Sequence, residues 1–332
     1  MSPFRAFRIH HDDSGYRADV ENMSTDALSP GELLVKVAYS SVNYKDALAG
    51  TGKGRILRSY PLNGGIDLAG QVVASTDPAF KEGDSVLCTG SGLSETRDGG
   101  YAEYARLDAR WAIALPRGLT LRESMILGTA GFTAALALLR MRDNRQTADL
   151  GPIAVTGASG GVGMLAIDIF TRAGYTVHAI SGKADHFDFL RSLGAVECID
   201  RHQLAFSGKP MDSVRFGGAL DNLGGSMLSG LLPLISPYGN VAICGNAGGI
   251  ELHSTVMPFI IRGASLLGIA SAGTARDIRD EIWGRLASAW KPVHLERIAT
   301  REIGLDELPG TFSRMLAGDS FGRTVVRINN MF

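Results

Sequence analysis

The stretch IAVTGASGGVGMLAIDIFTRAGYTVHAISGK, residues 153–183, constrains the fold more than any other part of the chain. An apolar strand runs into glycines, an apolar helix follows, and a second apolar strand closes on Ser-Gly-Lys. The whole passage takes ~30 residues, the length of one strand–helix–strand unit. Such a turn gathers free backbone N–H groups and the positive end of a helix at one spot. That spot binds phosphate, and glycines let a pyrophosphate approach where a Cβ would clash. The strict G-x-G-x-x-G is not met: the run reads Ala158-x-Gly160-x-x-Gly163, with Gly157 in front. Ser159, Gly160, Gly161 and Val162 are the expected phosphate cradle of a dinucleotide.

The end of the second strand selects the dinucleotide. An NAD site usually places Asp or Glu there to bind the ribose 2′-hydroxyl. This chain offers Ser181, Gly182 and Lys183 instead. A carboxylate repels a 2′-phosphate, whereas a hydroxyl, a glycine N–H and an ammonium receive it. NADPH is therefore the expected cofactor, and Arg201, just after the short strand ECID, is the expected second cation.

The rest of the chain frames this unit. Up to about residue 120, short β-rich segments alternate with Gly, Pro and Asp turns. From about Ser124 onward strands alternate with helical segments, which predicts an α/β fold with a doubly wound parallel sheet. The tail carries the helical stretch ARDIRDEIWGRLASAW and a closing strand, RTVVRIN, that returns to the first lobe. With 332 residues, 45% hydrophobic and 20% charged, the chain is long enough for two domains. A net charge of −1 points to neither nucleic acid nor an anionic membrane surface. No apolar run is expected to reach the roughly 20 residues of a membrane span, and the N-terminus reads as no signal peptide. Cys88, Cys198 and Cys244 lie far apart, a reduced usage that suggests the cytoplasm.

Five segments, SSVNYKDAL (40–48), GIDLAGQV (65–72), GTAGFTAALAL (128–138), VTGASGGVG (155–163) and SGK (181–183), together resemble the zinc-free medium-chain dehydrogenase/reductases. Within that superfamily the chain is similar to the quinone-oxidoreductase-like branch that includes NADPH-dependent acrylyl-CoA reductases, and STVMPFIIR at 254–262 fits that branch. The resemblance implies a GroES-like β-rich catalytic domain over 1–124 and 271–332. It implies a Rossmann NADPH-binding domain over 125–270.

It also frames the metal question. Zinc-bearing relatives carry Cys and His ligands where this chain has Asn43-Tyr44-Lys45-Asp46, where it reads Gly65-Ile66-Asp67, and beside Gly128-Thr129. The structural zinc lobe of those relatives needs four close cysteines, and residues 85–115 hold only Cys88. Without thiolate or imidazole ligands no tetrahedral zinc site is expected. Asp67 reads as a residue filling the place that zinc leaves.

An NADPH enzyme without a metal suits a double bond already activated by a conjugated carbonyl. Hydride reaches the β-carbon, charge moves onto the carbonyl oxygen, and the α-carbon takes a proton. The protein then needs a donor for the enolate oxygen and a fixed geometry. Tyr44 is the expected donor, since a phenol donates a hydrogen bond without carrying charge; it is also an expected cofactor contact. Asn43 is expected to orient the substrate carbonyl or the nicotinamide carboxamide, and Asp46 to fix Lys45 or Tyr44. Both also read as turn-shaping residues. Ligands of open α/β sheets sit at the carboxyl ends of the strands, which adds Ala247, Ile261 and Ser271 as cofactor contacts. In relatives the residues before the last strand reach the cofactor, which adds Arg323; it reads equally as a solvated strand-start residue.

Three readings remain open on the sequence: a reductase of short 2-enoyl-CoA thioesters, a quinone or enone reductase, and an NADPH-binding protein without turnover. The first needs cations for coenzyme A, and Lys45, Lys53, Arg55 and Arg58 stand in one early loop, where they also read as ordinary wet surface. The strand ASLLGIASAG has few charged residues to guard its edge, and a homodimer joined through it is expected.

Overall fold

The structure, a computed structural model, describes residues 3–329. The chain divides into two compact units. One holds the described residues up to Thr129, then Ala272–Trp283 and the described residues from Leu295 on. The other holds Ala130–Ser271 and Gly284–His294. The return into the nucleotide unit over Gly284–His294 is not apparent in the sequence pattern. It is held by Asp168, whose carboxylate accepts the backbone N–H groups of Val293 (3.1 Å) and His294 (2.8 Å). Arg172 adds a bond from Nε to the Ala289 carbonyl at 3.0 Å.

In the first unit a seven-stranded, mostly antiparallel sheet is built around Leu33–Ser41. This strand pairs with Asp67–Ser75, Tyr104–Leu107 and Thr324–Arg327, and almost all of its side chains are buried, as its apolar run LLVKVA demands. A smaller sheet is formed by the hairpin Phe4–Asp12/Gly15–Met23 and the short strand Leu62–Asn63. Phe7, Tyr101 and Phe312 stack at ring separations of 5.7 and 6.2 Å beneath it. The helix Tyr44–Thr51 sits on that core through Ala47 and Ala49, which leaves its first turn directed at the residues described below.

The second unit is a six-stranded parallel sheet. Its strands are β1 (Ile153–Thr156), β2 (Val177–Ser181), β3 (Ala195–Asp200), β4 (Gly218–Asp221), β5 (Asn240–Ile243) and β6 (Ser265–Gly268). They run in the order β3-β2-β1-β4-β5-β6, the dinucleotide-binding arrangement with its switch point between β1 and β4. β1 and β4 are wholly buried, as central strands covered on both faces should be. The helix Gly161–Arg172 links β1 to β2 and is followed by Gly174 at φ +92°, the left-handed stop expected there.

Two expectations are corrected. The helix Leu121–Asp143 is long and apolar enough by composition to cross a membrane, yet 89% of its most apolar window is buried inside the protein. It is also interrupted: Gly128 has φ +48° and ψ −153°, so it is no continuous rod. The alternation of strands and helical segments also predicts a full helix between β2 and β3, where the chain forms only Phe187–Ser192, preceded by a 3-10 turn at Ala184–His186.

Candidate active site

The first unit brings Asn43, Asp46, Asp67 and Arg323 into one buried cluster. Asp46 is the third residue of the helix Tyr44–Thr51, and its Oδ2 accepts the Asn43 backbone N–H at 2.9 Å. This is the returning half of a capping box, satisfying an N–H that the helix itself leaves open. The other oxygen, Oδ1, accepts the Ile66 N–H at 2.9 Å, tying the helix start to the segment before Asp67. Asn43 spends both amide hydrogens inward, on Asp46 Oδ2 (3.2 Å) and Asp67 Oδ2 (2.8 Å). Its Oδ1 accepts from Arg323 Nη1 at 3.2 Å. Asp67, fully buried, also accepts from Ser41 Oγ (2.6 Å), the Thr129 N–H (2.9 Å) and Thr129 Oγ1 (2.5 Å).

Arg323 closes the cluster. Its Nε donates to the Ile126 carbonyl and its Nη1 to the Val42 carbonyl, both at 2.9 Å. The reading of Arg323 as a solvated strand-start residue is corrected, since it is 3% exposed. Its expected cofactor contact gives way to a positioning role, because the guanidinium is turned into the body of the unit. Gly128 makes the approach possible. A Cβ there would lie 2.6 Å from Asp67 Oδ2, 2.7 Å from Ser41 Oγ and 2.9 Å from Arg323 Nη2. The positive φ and the missing side chain are both required.

Two carboxylates beside one guanidinium leave one negative charge over. Asp67 has the fuller set of donors. Burial, with the Asp67 charge next, pushes the Asp46 carboxyl up to about 7 despite the N–H groups it accepts. Burial also holds the Tyr101 phenol well above its ordinary value, and its hydroxyl donates to the Ser41 carbonyl at 3.0 Å.

The geometry separates the three residues expected to be catalytic. Tyr44, the first residue of the helix, is 40% exposed and stands at the surface of this buried cluster. Both amide hydrogens of Asn43 are committed inside the cluster, which corrects its expected donation to a substrate carbonyl, and its bonds support the Tyr44 turn. Asp46 does not fix Lys45, as was expected. Lys45 Nζ instead meets Glu95 Oε2 at 2.6 Å. Ser41 and Thr129 belong to the cluster and carry no sequence signal beyond their place in the quoted motifs, and Tyr101 stands in none of those motifs.

In the second unit the carboxyl ends of β1, β2 and β3 gather the residues of the glycine turn. Gly160 caps the helix Gly161–Arg172 with no side-chain bond, and no acidic residue stands in its first turn. Its leading N–H groups are thus open to an anion. Ser181 Oγ bonds Ser159 Oγ at 3.0 Å and accepts the Lys183 N–H at 3.2 Å. The Arg201 N–H bonds the Ser181 carbonyl at 3.0 Å. A Cβ on Gly182 would lie 2.5 Å from Arg201 Nε and 2.9 Å from His202 Nε2, so two cation-capable groups flank the Ser181–Lys183 turn. His202 was missed in the sequence and is found only by this proximity. These residues fit a nucleotide with a 2′-phosphate. Ala247, Ile261 and Ser271 follow β5 and β6 on the other side of the switch point. Ala247 is exposed, and Ile261 is 63% exposed on the short helix Met257–Arg262.

Two family models match the chain: the alcohol dehydrogenase GroES-like domain over residues 29–117 and the zinc-binding dehydrogenase over 161–288. The acrylyl-CoA reductase AcuI of Ruegeria pomeroyi is 40% identical, over 98% of this chain and 99% of that protein. YhfP of Bacillus subtilis, named as a quinone oxidoreductase, is 43% identical over 98% and 99%. Its crystal structure with NAD bound superposes with a TM-score of 0.95 over 99% of this chain and 100% of that one. The yhdH oxidoreductase of Salmonella enterica in complex with NADP is 41% identical and superposes with a TM-score of 0.94, over 98% and 100%. The zinc in the second model's name does not suit this chain. No group of three or more His, Cys, Asp or Glu among the described residues is placed to hold a metal, and the carboxylate of Asp67 is committed to hydrogen-bond donors beside a guanidinium.

The raised Asp46 carboxyl has a consequence for stability. The folded protein keeps this proton up to about pH 7, whereas an unfolded chain releases it near pH 4. The native state therefore binds more protons across that window. Its contribution to stability is full below about pH 4 and is lost as pH rises through 7. Urea midpoints measured from pH 5 to 8 are expected to fall more steeply for the wild type than for Asp46→Asn. Parallel curves would show that Asp46 does not carry the proton.

Proposed function

The chain belongs to the medium-chain dehydrogenase/reductases, in the zinc-free quinone-oxidoreductase-like branch, and from that premise we propose that it reduces the activated C=C bond of short 2-enoyl thioesters, acrylyl-CoA to propanoyl-CoA, with NADPH. The observation that carries this reading is the Asn43–Asp67–Arg323 cluster, which fixes the cap of the helix that begins at Tyr44. It supports a hydrogen-bond donor at the place where zinc-bearing relatives hold a Lewis acid. The 40% identity to an acrylyl-CoA reductase over nearly the whole of both chains supports the substrate class.

Bound NADPH supplies the hydride that the β-carbon receives. Each unit's residues do the rest. The open N–H groups after Gly160 take the pyrophosphate, and Ser181, Gly182, Lys183, Arg201 and His202 surround the 2′-phosphate. Ala247, Ile261 and Ser271 serve the nicotinamide half beyond the switch point. Tyr44 donates its hydroxyl hydrogen to the thioester carbonyl oxygen as negative charge grows there. Asp46, Asn43, Asp67 and Arg323 fix the turn from which Tyr44 projects, so little backbone reorganisation accompanies the reaction.

A quinone or enone reductase is the second reading, favoured by the 43% identity to YhfP. NADPH oxidation followed side by side with acrylyl-CoA, crotonyl-CoA and a simple quinone separates the two. Acrylyl-CoA is expected to give the highest kcat/KM, and preference for the quinone would reverse the assignment. We place the protein in the cytoplasm as a homodimer. In the described residues β6 pairs only with β5, and Val256, Ile260 and Ile261 lie exposed just before it. Pairing β6 with its twofold copy satisfies the bare edge and covers apolar surface. Light scattering at micromolar concentration is expected to give twice the chain mass, and a monomer mass would remove the argument.

Lys183→Ala is expected to weaken NADPH roughly tenfold or more while leaving NADH nearly as before, since one charge-assisted bond to the 2′-phosphate is lost. Equal loss of both cofactors in titrations would make the lysine structural.

Tyr44→Phe is expected to lower kcat about ten- to a hundredfold with NADPH affinity nearly unchanged. An active phenylalanine variant, with weakened cofactor binding in Tyr44→Ala, would mean that the ring packs and the hydroxyl does nothing.

A further inference from the structure

The first unit carries a cavity of about 560 Å³ lined by Lys45, Arg55, Ile56, Leu57, Arg58 and Glu95. The chain is fixed around it from the middle outward. Leu57 is buried and Ile56 packs against the same core, so Arg55 and Arg58 flank an anchored pair. The Arg58 N–H bonds the Glu95 carbonyl at 2.8 Å, which joins this segment to the loop opposite. Glu95 then binds Lys45 Nζ at 2.6 Å and Arg58 Nε at 3.4 Å, and the Lys45 ammonium holds its carboxyl below the ordinary range. Three cations (Lys45, Arg55, Arg58) face one carboxylate (Glu95) in a single concavity. The excess positive charge is gathered there, not spread over a convex face, and a concave wall concentrates the field that an anion meets.

We propose that this cavity is the subsite for the phosphate groups of the coenzyme A carrier. The proposal rests on the reading that the substrate is a CoA thioester. Lys45 follows Tyr44 in the first turn of one helix, so the cavity adjoins the element that presents the proposed donor. It does not include Tyr44 itself. On this proposal the pantetheine arm runs from a thioester carbonyl at Tyr44 to phosphates held in the cavity. Glu95 acts as a positioning residue, holding Lys45 and Arg58 over the cavity, while Ile56 and Leu57 supply an apolar wall for the arm. Arg55 is exposed, and the ion pairs of Glu95 go to Lys45 and Arg58 instead, so its guanidinium suits a bidentate phosphate contact.

The test compares acrylyl-CoA with acrylyl-pantetheine, which keeps the reacting thioester and lacks the phosphates, under saturating NADPH. The double variant Arg55→Gln/Arg58→Gln is expected to lower the ratio of kcat/KM for the two thioesters by about tenfold or more. Added salt is expected to lower that ratio in the wild type and to leave it nearly flat in the variant. Coenzyme A itself, titrated into the NADPH-saturated proteins, is expected to bind the variant at least about tenfold more weakly. An unchanged ratio together with unchanged coenzyme A affinity would overturn the subsite. A wild type that reduces a quinone and neither thioester would sink the substrate reading alone. The coenzyme A titration would then decide the subsite: loss of affinity in the variant upholds it, and no binding by the wild type ends it.

Discussion

A guanidinium removed from water has to replace its hydration with carbonyls and carboxylates, and much of the first unit is arranged around that requirement. Arg323 takes two backbone carbonyls, Ile126 and Val42, and the side-chain oxygen of Asn43. Two separate chain segments converge on it, and Gly128 breaks its helix to let them do so. A buried ion left without its partner costs about 3–5 kcal/mol, so the segments are coupled: none can shift without exposing an unpaired charge. The cluster adds little stability over an apolar core of the same volume, but it specifies one arrangement of the Asn43–Tyr44 turn. That turn is the feature on which the proposed chemistry depends.

The second unit relies on a different device. Its proposed phosphate cradle consists of main-chain groups made accessible by the lack of side chains, with the cations Lys183 and Arg201 at the rim. A Cβ at Gly163 would meet the Gly157 carbonyl oxygen at 2.4 Å, so the helix Gly161–Arg172 and β1 approach as closely as backbones can. Selectivity is then a matter of one turn. Ser181 and its neighbours stand where an acid would bind a ribose hydroxyl, and the rest of the cradle serves either dinucleotide.

The parts of this architecture that were legible in the sequence are those with local periodicity. The β1 turn, the helix after it and the Ser-Gly-Lys ending lie within one unit of the chain, and their pattern carries the sheet order with it. Asn43 and Asp46 were read as turn-shaping as well as catalytic, and the structure gives them the first role through hydrogen bonds only three residues apart. Arg323 was not legible. Its partner Asn43 is 280 positions earlier, and nothing in GRTVVRIN distinguishes a buried arginine from a wet one. His202 was invisible for a similar reason: only the fold of the turn after β3 brings it to Gly182. The interrupted helix Leu121–Asp143 misled in the opposite sense, because the apolar spacing is continuous across Gly128 while the backbone is not.

The same cluster bears on what the protein can select. A metal ion polarises a carbonyl by offering an open coordination position, while Arg323, saturated by its own chain and buried, offers nothing outward. The proposed donor is instead the Tyr44 phenol, able to stabilise charge that is already developing and too weak to force it on an unactivated bond. The substrate therefore has to bring its own electron sink, and a conjugated thioester does so. Once activation resides in the substrate, discrimination at the reacting atoms is slight: an enone and an enoyl thioester present the same oxygen to Tyr44. Specificity then falls to whatever the substrate carries beyond its carbonyl, and in this unit the group suited to reading such a carrier is the cation-lined cavity that begins one residue after Tyr44.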